Sequence, residues 1–396
     1  MGFQGKCLEG RRGRDIKPFF VMEILEKSFE LERAGRKVVH LEVGEPDFNT
    51  PEVIREAAVR ALQDGHTHYT HSMGRIELRE AIAEWHFQHY GTDIDPDNIM
   101  VSPGSSSAMT VLFAALLNPG DEVLITDPGY ACYGAFIRAF GGTPVAIKVH
   151  EDDQFQYPLE QTEDYIRRNR DKIKAIIVNS PSNPTGVVTP AESLKELIEC
   201  AGSDVLVVSD EIYHGLVYGT EAHSIREYSN NSVVINGFSK LFAMTGWRLG
   251  YAILPHELVR PSRTIQQNLV VSAPDFTQAA AITALRDASR EVEAMRMEYD
   301  RRRKYTLTRL RDMGLEIKAE PAGAFYVFFN VKNFTDSVYE FVFEILEEAG
   351  VALSPGVDFG INGEGYLRLS YTNSMDNLKE GLNRLERFFR ARIATK

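Results

Sequence analysis

The hydrophobic pattern between residues 99 and 254 alternates short apolar runs with segments of helical periodicity. The apolar runs predict strands over residues 99–102, 122–126, 144–149, 175–179, 205–209, 233–235 and 249–254. Helical segments separate most of these strands, which is typical of a largely parallel sheet covered by helices on both faces. The segment between Ile235 and Leu249 is too short for a crossover helix, so we expect the last strand to run antiparallel.

The pattern on either side of this region predicts helices with few strands. Helical periodicity covers residues 19–34, 51–65 and 76–90, with a short strand at 38–43. Thr50 is the expected N-cap of the second helix, and residues 189–192 read as a capping box for a helix that ends near Gly202. After Pro274 come long helical patterns to about Met313, strands at 325–331 and 366–371, a helix at 338–349 and a terminal helix.

These elements predict an α/β protein in which a large domain holds a mostly parallel seven-stranded sheet beside a smaller α+β domain. A chain of 396 residues is long for one hydrophobic core, which also favours two domains. We expect residues 1–45 to form an N-terminal arm and part of the small domain. Residues 46–285 would then form the large domain, and residues 286–396 the C-terminal small domain.

Charge and composition exclude several classes of function. The formal net charge of -12 argues against a broad nucleic-acid surface, so the short basic run near the start reads as a solvated arm. That run consists of Arg11, Arg12, Arg14 and Lys17. The sequence has no apolar run of about 18 residues and no signal peptide, so we expect a cytoplasmic protein without a membrane partner.

Cysteine and histidine positions give no support for a metal site. The three cysteines are widely spaced and form no CxxC pair, which predicts a reducing compartment with neither disulfide nor zinc. His66, His68 and His71 lie close together but lack supporting carboxylates or cysteines. We therefore interpret them as part of a polar loop, and we predict that no metal is bound.

Lys240 is the first candidate for chemistry. It follows the apolar run that ends at Ile235 and is surrounded in sequence by Phe238, Leu241 and Phe242. An apolar pocket lowers the pKa of an ammonium group and produces an amine that can condense with an aldehyde. Arg248 offers a fork suited to a phosphate. The pair suggests pyridoxal 5'-phosphate (PLP), whereas the alternative is a solvated lysine with a structural arginine.

Four loops that follow predicted strands carry groups suited to the rest of that cofactor. Asp210 can keep a ring nitrogen protonated, and Tyr213 can bond a ring oxygen. Tyr130 can cover the ring face. Residues 102–107, Ser-Pro-Gly-Ser-Ser-Ser, lie between a strand and a helix and suit a phosphate, and Asn183 follows another strand. Each loop alone is more often an ordinary turn or cap, but all four lie at the same sheet edge.

Together these stretches resemble class I/II PLP-dependent aminotransferases, the group that includes aspartate, aromatic and alanine aminotransferases. The motif is Gly-Phe-Ser-Lys at 237–240 followed by Met-Thr-Gly-Trp-Arg-Leu-Gly-Tyr at 244–251. Supporting stretches at 44–48, 69–70, 183–186, 210–213 and around Arg368 occur in the family's order. The resemblance covers nearly the whole chain and implies a fold type I PLP enzyme whose larger domain binds the cofactor.

The resemblance implies a role for each matching residue. Lys240 would hold PLP as a Schiff base and carry the proton, while Asp210 and Tyr213 complete the catalytic set. The other cofactor-binding residues would be Gly104, Ser105, Ser106, Tyr130, Asn183, Ser239, Arg248 and, from the partner subunit of a homodimer, Tyr69. The substrate carboxylate would bind Arg368, beside Asn183 and the Gly44 main chain.

The implied reaction is ping-pong transfer of the α-amino group of an L-amino acid to a 2-oxo acid. A PLP-dependent C-S or β-lyase is the alternative on a related scaffold. Gly237 stands where some aspartate-type members have serine, which leaves the phosphate contact of Ser239 open. Some bacterial aspartate-specific relatives carry a lysine in the loop occupied by Ser105, Ser106 and Ser107, so dedicated aspartate specificity is disfavoured.

Overall fold

The computed structural model describes residue 16 and residues 18–393, so the basic run and Cys7 lie outside the described residues. The helices are α1 Phe20–Arg33, α2 Glu52–Gln63, α3 Ile76–Tyr90, α4 Ser105–Leu116, α5 Cys132–Ala139, α6 Leu159–Asn169, α7 Ala191–Ala201, α8 His256–Leu269, α9 Asp275–Asp287, α10 Ser289–Asp312, α11 Val338–Ala349 and α12 Met375–Ile393. The helices predicted from periodicity at 19–34, 76–90 and 338–349 are among them. No helix in the described part of the chain combines the length and apolarity needed to cross a membrane.

The strands follow the predicted apolar runs closely. They are β1 Val39–His40, β2 Ile99–Ser102, β3 Glu122–Asp127, β4 Thr143–Lys148, β5 Ile173–Asn179, β6 Leu206–Asp210, β7 Val233–Gly237, β8 Gly250–Ile253, β9 Tyr326–Asn330, β10 Val351–Ala352, β11 Ser354–Pro355 and β12 Tyr366–Ser370. The strand expected at 38–43 is reduced to two residues. The short strands β10 and β11 were not predicted, because two-residue strands leave no periodic pattern in a sequence.

One seven-stranded sheet has the order β2-β8-β7-β6-β5-β3-β4. Its pairs are parallel except where β8 pairs with β2 and with β7, which confirms the predicted antiparallel strand. Successive residues of a strand point to opposite faces, and both faces of this sheet are apolar. Ile176 and Ile177 of β5, for example, pack into two different hydrophobic clusters. The α/β fold class predicted from the sequence is therefore confirmed.

A second region is built on a small antiparallel sheet with the order β11-β12-β9. Beside it, β1 pairs with β10 in parallel, which joins the N-terminal part of the chain to the C-terminal part. Helix α1 packs near β10, β11 and α11, so its position also depends on this region. The division at residues 45 and 285 stays a prediction.

Two predicted helix caps are wrong. The Thr50 hydroxyl donates to the carbonyl oxygen of Ala243 at 2.5 Å and accepts from Trp247 Nε1 at 3.0 Å, so it is used in tertiary contacts. Helix α2 instead has Pro51 at its N-cap, without a side-chain cap. Helix α7 likewise has Pro190 at its N-cap, which places Thr189 one residue too early to cap it.

Candidate active site

A cavity of about 290 Å³ lies at the carboxyl edge of the seven-stranded sheet, between this sheet and the small antiparallel sheet. Nine of the residues predicted for a site line it: Gly44, Ser105, Ser106, Tyr130, Asn183, Asp210, Tyr213, Lys240 and Arg368. Parallel strands end at the same edge of a sheet, so loops far apart in sequence meet there. Arg368 is contributed by β12 of the small sheet, and Gly44 by the segment after β1.

Lys240 follows β7 by three residues and is partly buried in the cavity wall. Its Nζ donates to the carbonyl oxygen of Gly44 at 2.7 Å and lies 5.8 Å from the centre of the Phe325 ring. Burial lowers the pKa of Lys240 to about 8, and the nearby Glu45 carboxylate opposes this effect. The amine is therefore more often neutral near pH 7 than that of an exposed lysine, which suits nucleophilic attack.

Asp210 is the last residue of β6 and its carboxyl group is buried beside the cavity. Burial raises the pKa of Asp210 to about 6. The Tyr133 hydroxyl donates to Oδ2 at 2.6 Å and the Ile212 amide donates to Oδ1 at 3.2 Å. These donors stabilise the ionised form, so the carboxyl group is held in place for a positively charged partner inside the cavity.

Tyr326, the first residue of β9, lies next to both Tyr213 and Gly44. Its hydroxyl is 2.8 Å from the Tyr213 hydroxyl. A side chain at Gly44 would overlap Tyr326, so only glycine lets the main chain come this close to the ring. Gly44 therefore keeps its carbonyl oxygen within reach of Lys240.

A polar corner forms where α4 begins. Gly104 has φ +87° directly before Ser105, and a Cβ there would lie 2.7 Å from Nη2 of Arg248. Arg248 itself has φ +54° and donates from Nη1 to the carbonyl oxygen of Thr245 at 2.8 Å. The first N–H groups of a helix have no intrahelical acceptor, so a guanidinium beside them makes this corner suitable for an anion.

Arg368 is buried and lines the cavity from β12. Its Nη1 donates to Asn183 Oδ1 at 2.9 Å, and its Nη2 donates to Ser354 Oγ at 3.1 Å and to the carbonyl oxygen of Glu42. A guanidinium has five N–H bonds, and three are used here. Of the remaining two, the one on Nε is buried without an acceptor in the described structure. A carboxylate ligand would satisfy such donors.

Comparison with known proteins places this constellation in a family. Residues 36–385 match the family model described as aminotransferase class I and II. This chain belongs to the class I and II aminotransferases. Over 383 residues it is 43% identical to the (5-formylfuran-3-yl)methyl phosphate transaminase of Methanocaldococcus jannaschii, covering 96% of this chain and 98% of that protein. It is 37% identical over 378 residues to an aspartate aminotransferase of Pyrococcus horikoshii, covering 94% and 95%.

Solved structures of related aminotransferases have the same fold. A Methanococcus jannaschii crystal structure, described as similar in its active site to kynurenine aminotransferases, superposes with a TM-score of 0.88 at 42% identity, covering 96% of this chain and all of that one. The aspartate aminotransferase of Thermus thermophilus with maleate gives 0.90 at 38% identity over the same shares. The protein is thus a transaminase of a family that generally uses PLP, with amino and oxo acids as substrates.

Four residues predicted for the site of this aminotransferase do not line the cavity. Gly104 immediately precedes Ser105, and Arg248 lies next to Gly104. Ser239 is buried, and its carbonyl oxygen accepts from the Met244 amide at 3.2 Å. Tyr69 is 85% exposed and makes no described contact with the cavity residues. Its predicted contact with a partner subunit therefore stays a prediction.

The sequence interpretation missed several residues that contact the candidate site. The Tyr133 hydroxyl donates to Asp210, and the Tyr326 hydroxyl is hydrogen-bonded to that of Tyr213. Asn179 Oδ1 accepts from the Asn183 amide at 2.8 Å. Asn179 ends β5 at the carboxyl edge, a position that could have marked it. Tyr133 lies inside α5 and Tyr326 inside an apolar strand, where both patterns indicate core residues.

Proposed function

We propose that this aminotransferase binds PLP in the 290 Å³ cavity and transfers the α-amino group of an L-amino acid to a 2-oxo acid by a ping-pong mechanism. Lys240 is the residue that anchors the cofactor. The observation that carries the proposal is the position of a lysine amine with a lowered pKa in the cavity that also holds a buried carboxyl group and a buried guanidinium. Amine, carboxylate and guanidinium are the groups that a Schiff-base cofactor and an amino acid substrate require.

The donors and acceptors around the cavity fit the cofactor. Asp210 would pair with the ring nitrogen, because its buried carboxylate favours a positive partner. Tyr213 and Asn183 would bond the ring oxygen, and Tyr130 would cover the ring. The polar corner at the start of α4 would hold the phosphate. Its residues are Gly104, Ser105, Ser106 and Arg248, with Ser239 adjacent in the loop of Lys240.

The chain's own residues would then control the proton and the substrate. Bound PLP supplies an electron sink that stabilises negative charge at the substrate α-carbon. Lys240, released when the substrate amine takes its place, would remove and return the α-proton through Nζ. The Gly44 carbonyl oxygen, 2.7 Å from Nζ, would orient that amine. Arg368 would bind the substrate α-carboxylate through the N–H groups that lack a protein acceptor.

A homodimer is part of this proposal. Tyr69 is a large aromatic residue with 85% of its surface exposed. Leu269, the last residue of α8, and Val271 are exposed as well, and the hydroxyl of the adjacent Ser272 accepts from the Thr70 amide. Exposed apolar residues that lie together favour an interface. In the proposed dimer, Tyr69 would complete the phosphate site at the polar corner of the neighbouring subunit.

The test compares wild type with Lys240→Ala and with the control Lys195→Ala on the surface of α7. Each protein is incubated with PLP, dialysed and examined for bound cofactor by absorbance, and amino acids are then added. Wild type and Lys195→Ala should hold the cofactor with a lysine-dependent spectrum, release a 2-oxo acid from a donor, and regain that spectrum when a 2-oxo acid acceptor is added. Lys240→Ala should do none of these.

Two results would contradict the proposal. Identical cofactor spectra for wild type and Lys240→Ala would show that Lys240 is not the anchor. Release of ammonia and pyruvate from the donor, without retention of the amino group on the enzyme, would instead indicate a lyase.

A further inference from the structure

Part of the cavity lining is apolar and comes from the start of α1. Phe19, Val21, Met22 and Leu25, at the start of α1, line the cavity together with Val43. We call the four residues from the start of α1 the apolar wall. It belongs to the region around the small sheet, on the side of the cavity from which Arg368 projects. A substrate whose carboxylate binds Arg368 would therefore extend its side chain close to this wall.

Few of the described residues that line the cavity are charged. Among the described residues that line it, Lys240 and Arg368 are the cationic side chains, and both are already assigned to cofactor and α-carboxylate. Two acidic residues, Glu42 and Asp210, also line it. A second carboxylate on the substrate would thus enter a partly apolar space in which the described lining residues offer no further cation. Burial of such an unpaired charge is strongly unfavourable.

We propose that the preferred amino donor of this enzyme has an uncharged, apolar side chain, aliphatic or aromatic, that packs against the apolar wall. This inference rests on the proposed function, because it assumes that the α-carboxylate binds Arg368. Transfer of an apolar side chain from water into such a cavity is favourable in proportion to the area covered. The same wall gives a dicarboxylic donor nothing to pair with, so the two kinds of donor are discriminated at the side chain.

The wall is fixed in position by hydrogen bonds. The carboxylate of Asp358 accepts from the amides of Phe20 at 2.8 Å and of Val21 at 2.9 Å, which ties the start of α1 to the segment before β12. One turn into the helix, Glu23 accepts from the Tyr339 hydroxyl at 2.7 Å. A side-chain pocket needs such support to discriminate substrates. Asp358 therefore holds the apolar wall in place.

Met22 is the position at which the charge of the wall can be changed with least risk to folding, since 52% of its surface is exposed. Met22→Arg places a cation at the mouth of the cavity. Met297→Arg is the matched control, because Met297 is 58% exposed on α10 and does not line the cavity. The two variants carry the same change in charge, so their difference reports the location alone.

The first readout is kcat/KM with leucine, phenylalanine, aspartate and glutamate as donors. Wild type and Met297→Arg should favour leucine or phenylalanine over both acidic donors by about tenfold or more. Met22→Arg should reduce this ratio by a similar factor. A wild-type preference for aspartate or glutamate would overturn the inference, as would equal ratios for the two arginine variants.

The second readout does not depend on turnover. Calorimetric titration of the PLP-loaded protein with 4-methylpentanoate and with glutarate compares an apolar and an acidic side chain beside one shared carboxylate. Wild type should bind 4-methylpentanoate more tightly, and Met22→Arg should shift the ratio of the two Kd values toward glutarate. Tighter binding of glutarate by wild type would overturn the inference, whereas failure of the proposed function would appear separately in the Lys240→Ala comparison.

Discussion

Asp210 and Glu211 are consecutive carboxyl residues at the end of β6, and both are buried, yet their surroundings differ. Asp210 borders the cavity and receives the Tyr133 hydroxyl. Glu211 points away from the cavity, where its Oε1 accepts from Ser224 Oγ at 3.1 Å and from the Ile225 amide at 3.0 Å. One carboxyl group is thus accessible to a ligand, whereas the other is enclosed by protein.

The Glu211 side also contains a buried network without access to the cavity. His214 Nδ1 lies 3.4 Å from Glu211 Oε2 and 2.7 Å from the Tyr90 hydroxyl. Burial raises the pKa of Glu211 to about 8 and lowers the pKa of His214 to about 3, so both are neutral near pH 7. The pKa of Asp210 is shifted less. Access to the cavity, rather than the size of a pKa shift, therefore separates the site from structural burial.

The largest expected effect comes from Asp210→Asn. The change keeps the size of the side chain but removes the charge that would stabilise a protonated ring nitrogen. We expect kcat/KM to fall on the order of 10²–10³-fold, as when one preorganised electrostatic group is removed from an active site. The measurement is steady-state transamination by the PLP-loaded protein.

Glu211→Gln is the control for this change, because it neutralises the neighbouring carboxyl group outside the cavity. It should retain most of the wild-type kcat/KM. Equal losses in the two variants would mean that cavity access does not distinguish the two carboxyl groups.

The second effect is on the pH dependence of stability. The pKa of Glu211 rises from an ordinary 4.5 to about 8 on folding, so the folded state binds a proton that the unfolded state has lost between these values. The stabilisation is complete below about pH 4.5 and is lost as the pH rises through about 8. Glu211→Gln cannot ionise and should remove this loss, which we expect to be on the order of 4 kcal/mol between pH 5 and pH 8.5.

Urea unfolding at pH 5 and pH 8.5 measures this difference. The free energy of unfolding should fall more for wild type than for Glu211→Gln between the two values. A parallel fall in both proteins would show that Glu211 is already ionised in the folded state at pH 5.

The contrast between the two carboxyl groups also marks what the sequence can predict. The strands of the large sheet were predictable because each is a continuous apolar run, buried on both faces. Residues such as Asp210, Asn183 and Lys240 were predictable because each follows such a run. The sequence could not show that Asp210 faces the cavity and Glu211 faces the protein interior, since both follow the same strand.

The hydrogen-bond partners that distant elements supply to the predicted residues were not predictable from the sequence. Tyr133 contacts Asp210 from α5, the helix between β3 and β4, and Tyr326 contacts Tyr213 from the small sheet. Their local patterns are those of core residues, so only the packing of elements reveals their contacts. The same holds for Thr50, whose local sequence favours a helix cap but whose hydroxyl bonds Ala243. Tertiary contacts override local preferences at such positions.

The third effect is that of Tyr133→Phe, which removes the hydroxyl that donates to Asp210 Oδ2 at 2.6 Å. A carboxylate that loses a donor becomes more basic and less well oriented. We expect kcat/KM to fall about tenfold, which corresponds to about 1.4 kcal/mol. The pH profile of kcat should also shift, because the ionised form of Asp210 is less stabilised. An unchanged profile together with unchanged kcat/KM would exclude Tyr133 as a positioning residue.

The smallest effect is that of Ser224→Ala. This change removes a hydroxyl donor from the enclosed Glu211 carboxyl group, as Tyr133→Phe does from that of Asp210. Ser224 Oγ donates to Glu211 Oε1 at 3.1 Å and also caps the short helix Ile225–Glu227. Loss of one buried hydrogen bond and a cap should lower the free energy of unfolding by about 1 kcal/mol. Thermal and urea unfolding measure this loss, and kcat/KM of the folded enzyme should not change. A loss of activity as large as that of Tyr133→Phe would show that the Glu211 network supports the site through β6, so that enclosure alone does not separate structure from function.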